Sequence, residues 1–350
     1  MILPSEASPR RWSADHQRLH RHLLRRPELL PAGAVLLLAV SGGQDSMALA
    51  ALLSDLRPLH GWRLNLWHGD HGWRPDSRQQ AQALAAWAAA AGLPLHCERA
   101  EPPPSGEAAA RQWRYACLER HARALDCVRV VTGHTASDRA ETVLLNLARG
   151  SHLRGLGSLR ADRQLSAEDA GMAEPRRLVR PLLVFSRADT AGICRTLGVP
   201  VWEDASNSDP RFRRNRVRAE VLPVLEALHP GAERRIAAQS QRLEEELVAF
   251  DELLELALEG LRPCETRDGR SLDRWRLGRL TAANRARMLE FWLRSVGIGP
   301  PAGRDLDTLA ARLPPERGPG EQDLAGGWRL RWDRSTLSLQ RPGESAQGDG

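Results

Sequence analysis

Residues 34–47 constrain the fold of this chain more than any other stretch. Seven apolar residues, at positions 34–40, run directly into Ser41-Gly42-Gly43-Gln44-Asp45-Ser46. A run this short, without charge, predicts a strand buried on both faces of a parallel sheet. The periodic residues 47–56 predict a helix directly after the turn. Because a glycine-rich turn between a strand and a helix points free N–H groups at one spot, the stretch predicts an anion site with phosphate as its ligand.

Two well-known phosphate loops do not match this stretch. A Walker A loop needs a lysine, whereas all 50 basic residues of the chain are arginine. The dinucleotide pattern Gly-x-Gly-x-x-Gly is also missing here. An ordinary Gly-Gly turn, with Asp45 as a helix cap, stays open as the alternative.

Short apolar runs alternate with helical stretches over the first half of the chain. Strands are predicted at residues 34–40, 63–68, 95–99 and 128–133, and helices at 46–56, 76–91, 106–124 and 136–147. This alternation predicts an α/β fold whose parallel, twisted sheet carries helices on both faces. In such a sheet, ligands bind beyond the carboxyl ends of the strands.

We divide the chain into four parts. Residues 1–30 form an N-terminal helical extension, residues 31–215 the α/β domain and residues 216–340 a smaller, mostly helical domain that ends in a hairpin at 327–332 and 335–339. The tail, 341–350, has the composition of disorder. Within the α/β domain we expect a polar loop at 160–177 and a helix at 186–197.

Composition excludes several classes of protein. The chain contains no apolar run of about 18 residues, and its first residues lack a basic and then apolar signal pattern, so we expect a cytoplasmic protein. The five cysteines never form a Cys-x-x-Cys pair, which argues against a disulfide framework and a zinc or iron–sulfur site. The net charge of +6 comes from arginine, which suits phosphate recognition.

Two segments place basic residues beside predicted strand ends. The loop after the second strand holds His71 and Arg74, which fit the lining of a nucleotide pocket; a plain capped loop is the alternative. On the next-but-one helix, Arg111 and Arg114 share a face with Glu107. They fit neutralisation of phosphates, and an exposed ion pair is the alternative.

The helix at 136–147 begins with two acidic residues. Asp138 and Glu141 lie three positions apart, so they project from one face near the carboxyl edge of the sheet. A carboxylate pair here suits a cationic substrate or Mg²⁺. The alternative is acidity that complements the helix dipole. A second basic, glycine-rich loop, Arg149-Gly150-Ser151, follows the helix.

An arginine-rich segment lies at the predicted domain junction. Arginines crowd this segment, and Phe212 and two asparagines accompany them. A solvated charged face is the usual explanation, but the mixture favours binding of nucleic acid. The candidates are Asn207, Arg211, Arg213, Arg214, Asn215, Arg216 and Arg218.

Taken in order, these motifs resemble one enzyme family. The Ser-Gly-Gly-x-Asp-Ser stretch resembles the pyrophosphate loop (PP-loop) of N-type ATP pyrophosphatases, and the later motifs over residues 34–230 resemble bacterial tRNA(Ile)-lysidine synthases. Ser137 stands where many members have a further aspartate, and Thr135 replaces a histidine. We expect the chain to lack the extra C-terminal domain of longer members.

The resemblance implies a two-step ligation on a tRNA. ATP adenylates the wobble cytidine of a tRNA(Ile) with a CAU anticodon, and free L-lysine then displaces AMP to give lysidine. Mg²⁺ is implied as a cofactor, held near Asp45. The resemblance permits a homodimer, but the sequence leaves the oligomeric state open.

The resemblance also implies residue roles. Catalysis is assigned to Asp45, Asp138, Glu141, Arg111 and Arg114. Lysine binding is assigned to Asp138 and Glu141, and tRNA binding to Arg74 and the seven junction residues. ATP binding is assigned to Ser41, Gly42, Gly43, Gln44, Asp45, Ser46, His71, His134, Arg149 and Gly150.

Two other functions remain alternatives. A tRNA cytidine thiolase shares the loop and the adenylation step, but it needs paired cysteines, which this sequence lacks. A non-catalytic nucleotide-binding module would share the sheet. Such a module would not explain the arginine-rich segment at the predicted domain junction.

Overall fold

The computed structural model describes residues 12–73, 76–151, 153–166, 174–202, 209–263, 269–301 and 303–341. Internal contacts divide the chain into two compact units, Met1–Glu244 and Glu245–Gly350. Our predicted boundary near residue 215 lies upstream of this division. The tail that we expect to be disordered lies outside the described residues, apart from Arg341.

Unit 1 is an α/β fold. Its strands are β1 (Val35–Ala39), β2 (Arg63–Asp70), β3 (Leu95–Arg99), β4 (Arg129–Thr132), β5 (Asp162–Gln164) and β6 (Arg177–Val179). Its helices are α1 (Ala14–Arg25), α2 (Gln44–His60), α3 (Ser77–Ala90), α4 (Glu107–Ala124), α5 (Ala136–Ala148), α6 (Leu153–Leu156), α7 (Arg187–Leu197), α8 (Arg213–Arg216) and α9 (Leu222–Leu228), with a π-helix at Val217–Val221 before α9 and the first part of α10 (Ala232–Leu261). A 3₁₀ turn, Pro181–Val184, precedes α7.

The sheet of unit 1 has the strand order β3-β2-β1-β4-β6-β5. All neighbours pair in parallel except β5, which pairs antiparallel with β6 at the edge. The predicted parallel sheet with helices between its strands is therefore confirmed. The expectation of a loop throughout residues 160–177 is wrong, because the three-residue strand β5 lies within this range and β6 begins at its end.

Strand β1 is the centre of the core. Leu36 and Leu38 belong to the apolar cluster that α2 covers, whereas Leu37 belongs to the cluster formed with Trp67 and Leu118 on the opposite face. All three leucines of β1 are fully buried, and each contributes roughly 2 kcal/mol of burial free energy. The predicted strand buried on both faces is confirmed.

Unit 2 combines helices with a small sheet. It holds the rest of α10, α11 (Arg274–Gly278), α12 (Ala282–Ser295), α13 (Gly303–Arg312), and the strands β7 (Ser271–Asp273), β8 (Gly320–Asp323), β9 (Arg329–Trp332) and β10 (Thr336–Gln340). The predicted hairpin is β9–β10, and β7 and β8 extend it to a four-stranded antiparallel sheet in the order β7-β10-β9-β8. Trp292, fully buried on α12, lies in its core.

Residues 216–244, which we assigned to the second domain, pack with unit 1. Arg218 pairs with Glu141, Glu233 accepts a hydrogen bond from Ser137, and Glu244 pairs with Arg139 at 3.0 Å. These contacts tie the π-helix and the first half of α10 to α5. They explain why the division falls inside a continuous helix.

Candidate active site at the carboxyl edge of the sheet

The loop after β1, residues 41–46, is a tight turn that leads into the N-terminus of α2, and we call it the phosphate cup after its predicted ligand. Gly42 has φ +85°, a conformation that only glycine adopts readily, and Gly43 is the N-cap of α2. The Ser46 hydroxyl donates to the Gly43 carbonyl at 2.9 Å and accepts from the Ser41 N–H at 3.2 Å, which closes the turn. The first N–H groups of α2 have no partner inside the helix and carry the positive end of its dipole.

Two residues from distant parts of the chain fix this loop. A Cβ at Gly42 would lie 3.0 Å from the side-chain ring of Trp202. The backbone N–H of Trp202 donates to the Gly42 carbonyl at 3.0 Å. A Cβ at Gly133, just after β4, would lie 2.9 Å from backbone atoms of Asp45 and Ser46. Both sites therefore need glycine, because other backbone or ring atoms occupy the space of a side chain.

Asp45 is held by helix α7. Its carboxylate accepts a hydrogen bond from the Thr190 hydroxyl and pairs with Arg187 at 3.3 Å. Gln44 also bonds α7, through the Arg187 carbonyl at 2.8 Å. Burial raises the pKa of the Asp45 carboxyl and the charge of Asp138 adds to the rise, while the Thr190 hydrogen bond opposes it.

Arg187 and Thr190 are site residues that the sequence analysis missed. A signal for them existed, since Ser186 and Asp189 form a capping box at the start of the predicted helix. Placing that helix at the site needed the parallel pairing of β6 with β4, which brings the start of α7 to the edge where β1 ends. The three-residue β6 was too short to predict.

Asp138 caps α5. It accepts hydrogen bonds from the Thr135 N–H at 2.7 Å and the Thr135 hydroxyl at 2.9 Å, which completes a capping box. Its other oxygen accepts from Arg214 at 2.9 Å. Although burial opposes the effect, the charge of Arg214 lowers the pKa of the Asp138 carboxyl. Asp138 therefore stabilises the start of α5, and its cationic partner in this structure is Arg214 of the chain itself.

Glu141 is a fully buried carboxylate with two arginine partners. One oxygen accepts from Arg218 Nε at 2.6 Å, and the other accepts from Arg214 Nε at 2.6 Å and from a second nitrogen of Arg218 at 3.1 Å. The side chain of Glu141 has no exposed area. The structure thus places the predicted lysine-binding pair together, and it fills both carboxylates with guanidinium groups of the chain itself.

His134 lies between these charges as a neutral imidazole. Its Nδ1 contacts the Thr132 hydroxyl at 2.9 Å. Burial lowers the pKa of His134 to about 3, and the charge of Asp138 acts against that shift. The charges that lower it further belong to Arg180, Arg214 and Arg111. The predicted ATP-site residue His134 and the predicted catalytic residue Arg111 therefore share one electrostatic environment.

A cationic cluster surrounds Tyr115, the only tyrosine of the chain. The guanidinium carbons of Arg111 and Arg163 each lie 4.9 Å from the centre of its ring. Burial alone raises the pKa of the phenol, but the charges of Arg111, Arg163 and Arg180 outweigh it and the pKa falls. Arg163 lies on β5 and was missed by the sequence analysis.

His71 and Arg114 meet beyond the end of β2. Arg114 contacts His71 Nε2 at 3.2 Å, and the His71 ring packs edge to face on Trp113 at 5.1 Å. Burial lowers the pKa of His71, and the charge of Arg114 acts in the same direction. The structure thus joins these two predicted residues, which come from separate motifs.

Other predicted residues lie away from the phosphate cup or outside the described chain. Arg149 is the C-cap that directly follows α5 and Gly150 comes next, roughly 16 Å along the helix axis from Asp138. Asn215 donates to the Asp209 carbonyl at 2.9 Å, which makes it part of the local fold. Arg74 and Asn207 lie outside the described residues.

The arginines of the junction divide into two sets. Arg214 and Arg218 point at Glu141, whereas Arg211 and Arg216 are exposed by 88% and 61%. Arg213 lies on the same short helix as Arg214 and Arg216. The ion pairs of the exposed side chains, such as that of Arg216 with Glu220, are weak.

Neither a cavity nor a cluster of metal ligands identifies the candidate site among the described residues. A cavity of about 630 Å³ is lined by Val35, Arg63 and Leu64 at the beginnings of β1 and β2, the edge opposite the phosphate cup. Among the residues that the structure describes, no cluster of three or more His, Cys, Asp or Glu side chains could hold a metal ion, and no helix is long and apolar enough to cross a membrane.

Comparisons with known proteins agree with this geometry. A PP-loop domain family matches residues 15–225. A tRNA(Ile)-lysidine synthase of Parasynechococcus marenigrum (strain WH8102) is 50% identical over 95% of this chain and 96% of its own length. A tRNA(Ile)-lysidine synthase of Prochlorococcus marinus is 40% identical over 94% of this chain and 96% of its own length.

A solved structure shares the fold. The U34-tRNA thiolase of Methanococcus maripaludis, which carries a [4Fe-4S] cluster, superposes with a TM-score of 0.53 at 17% identity and covers 65% of this chain and 78% of that one. At this level of identity the similarity concerns the fold alone.

Proposed function

Because the chain belongs to the tRNA(Ile)-lysidine synthase family, we propose that it uses ATP to ligate L-lysine to C2 of the wobble cytidine of tRNA(Ile). One observation carries the proposal. The phosphate cup after β1 and the start of α5 meet at Arg187, which pairs with Asp45 at 3.3 Å and whose backbone N–H donates to the Ser137 hydroxyl at 2.8 Å. A site for phosphates thus adjoins a site for a cationic substrate.

The reaction has two steps. In the first, O2 of the cytosine attacks the α-phosphorus of ATP, and the bond to pyrophosphate breaks. In the second, the ε-amine of lysine attacks C2, the C2–O2 bond breaks, AMP leaves and the nitrogen loses a proton. No bond forms to the protein, so catalysis depends on positioning and electrostatics.

The cup holds the departing pyrophosphate. Its N–H groups and the hydroxyl of Ser41, the most exposed serine of the loop, face the phosphates, while Ser46 keeps the turn closed. Arg111 and Arg114 offset phosphate charge from α4. Their contacts with Tyr115 and His71 hold the two guanidiniums in place.

Asp45 is the residue that would hold Mg²⁺. Its surroundings fit a cation, since burial and the charge of Asp138 both disfavour its ionised form and a divalent cation reverses that preference. When bound, Mg²⁺ supplies charge neutralisation on the phosphates. Thr190 and Arg187 fix the orientation of the carboxylate.

The amino acid and the tRNA use the other groups. Asp138 and Glu141 attract the cationic lysine, and His134, neutral at pH 7, offers a hydrogen-bonding ring without adding positive charge. The junction residues Arg211, Arg213 and Arg216 contact tRNA phosphates.

The alternative function, that of a thiolase, would need reactive thiols, and the described cysteines do not supply them. Burial raises the pKa of Cys97 and Cys117, and it raises the pKa of Cys127 and Cys194 to about 11. A thiol with a raised pKa is a poor nucleophile near neutral pH because little thiolate forms.

Incorporation of radiolabelled lysine tests the proposal. Purified protein with ATP, Mg²⁺ and CAU-anticodon tRNA(Ile) is expected to label the tRNA with lysine and not with arginine. Asp45→Ala should lower the rate roughly 100-fold or more, because it removes an electrostatic contact at the reacting phosphates. Asp76→Ala, which removes an exposed carboxylate just before α3, is the matched control and should label normally. Equal labelling by both amino acids, or by neither, contradicts the proposal.

A further inference from the structure

The acidic pair of the proposed lysine site is already occupied. Arg214 spans both carboxylates, with Nε 2.6 Å from Glu141 and a terminal nitrogen 2.9 Å from Asp138. The remaining oxygens accept hydrogen bonds from Thr135 and Arg218. All four carboxylate oxygens therefore have partners, and Arg214 occupies the position from which a single cation contacts both carboxylates, one of which is fully buried.

Arg214 is the partner that can leave at least cost. Its side chain is 38% exposed, compared with 25% for Arg218 and none for Glu141. Arg218 alone makes two contacts with Glu141, so this buried carboxylate keeps a counter-charge when Arg214 departs. Replacing a guanidinium by an ammonium also conserves the net charge of the pocket. The exchange thus avoids the large penalty of an unpaired buried charge.

The backbone around Arg214 couples it to its neighbours in sequence. Arg214 lies on the four-residue helix α8 with Arg213 and Arg216, and Arg216 points to solvent. A π-helix, Val217–Val221, follows immediately, and such irregular turns are frequent at functional sites. Since Arg213, Arg214 and Arg216 share one short helix, a shift of that helix displaces all three side chains together.

We propose that Arg214 stands in for the lysine ammonium in the free protein and that tRNA contact with the exposed arginines withdraws it. The inference rests on the proposed function, since it takes lysine and tRNA as the substrates. It implies an order of binding in which lysine binds well only after tRNA. Free lysine would then not displace Arg214 from the pocket before the wobble cytidine of the tRNA is in place.

Equilibrium dialysis with radiolabelled lysine tests this order. Wild-type protein without tRNA is expected to bind lysine weakly, and Arg214→Ala without tRNA roughly tenfold more tightly, because the competing side chain is gone. Adding CAU-anticodon tRNA should tighten lysine binding to the wild type by a similar factor. It should not tighten binding to Arg214→Ala, since the coupling acts through that side chain.

Two variants serve as controls. Arg214→Lys keeps a tethered cation in the pocket and should bind free lysine as weakly as the wild type. Arg123→Ala removes an arginine that is 46% exposed on α4 and paired with Glu119; it should also behave as the wild type. Thermal melts verify that each variant is folded, and the tRNA effect on the wild type tests the proposal without any substitution.

The outcomes separate this inference from the proposed function. If wild-type protein labels tRNA with lysine but neither tRNA nor Arg214→Ala tightens lysine binding, the stand-in role of Arg214 is wrong and the function survives. If wild-type protein does not label tRNA at all, both fall.

Discussion

Replacing Gly133 by alanine tests whether β4 fixes the phosphate cup. The new Cβ would lie 2.9 Å from the carbonyl carbon and oxygen of Asp45 and from the nitrogen of Ser46. These are backbone atoms, so the clash is relieved only if the start of α2 moves away from β4. Overpacking of this kind costs about 1–3 kcal/mol, which lowers the Tm of a unit this size by roughly 2–12 °C.

The same substitution should also lower the rate of the folded enzyme, beyond any loss caused by unfolding. The atoms that move belong to the cup, and a misplacement approaching 1 Å costs about 100-fold in rate. The assay is kcat/KM for ATP in the lysine-labelling reaction, at a temperature where the variant is fully folded. Gly192→Ala on α7 is the matched control: it has no neighbouring atom within 4 Å and should keep or raise the Tm. A Gly133→Ala protein with wild-type Tm and wild-type kcat/KM would refute the reasoning.

Three further predictions concern buried polar groups. The pKa of His134 is about 3 when folded and 6.5 ordinarily, so the unfolded chain binds more protons between these values and stability falls as the pH falls through that window. In urea unfolding, the wild type should lose about 2 kcal/mol of unfolding free energy between pH 7 and pH 5 because of His134, and His134→Gln should not show this part of the loss. Equal losses of unfolding free energy in the two proteins contradict the assignment. Thr190→Val removes a hydrogen bond that lowers the pKa of Asp45, so the acid limb of the activity profile should move to higher pH, and an unmoved limb counts against a role for ionised Asp45. Glu141→Gln leaves two arginines without their carboxylate and should lower the unfolding free energy by about 1–3 kcal/mol, whereas an unchanged denaturation midpoint would mean that these ion pairs add nothing.

Strands β1 to β4 were predictable because each lies between two well-marked helical stretches. The sequence limits for β1 to β4 agree with the structure to within two residues, and the cup follows β1 as expected. Strands β5 and β6 were not predictable. Each has three residues and includes charged side chains, so neither shows the period of two that marks a strand.

The site was predictable as a set of motifs but not as a set of contacts. The spacing of Asp138 and Glu141 predicted their common face, yet no local signal indicated that Arg214 and Arg218 fold back onto them. That contact depends on where the tertiary fold places residues 213–218 relative to α5. The position of the unit division was equally hidden, because α10 keeps an unbroken helical period across Glu244.

A structure with a non-hydrolysable ATP analogue bound tests the central claim most directly. The account predicts that the β- and γ-phosphates lie within hydrogen-bond distance of the N–H groups of Gly43 and the first turn of α2, with Asp45 facing them. Phosphates bound anywhere else, for example in the cavity at the beginnings of β1 and β2, would contradict it.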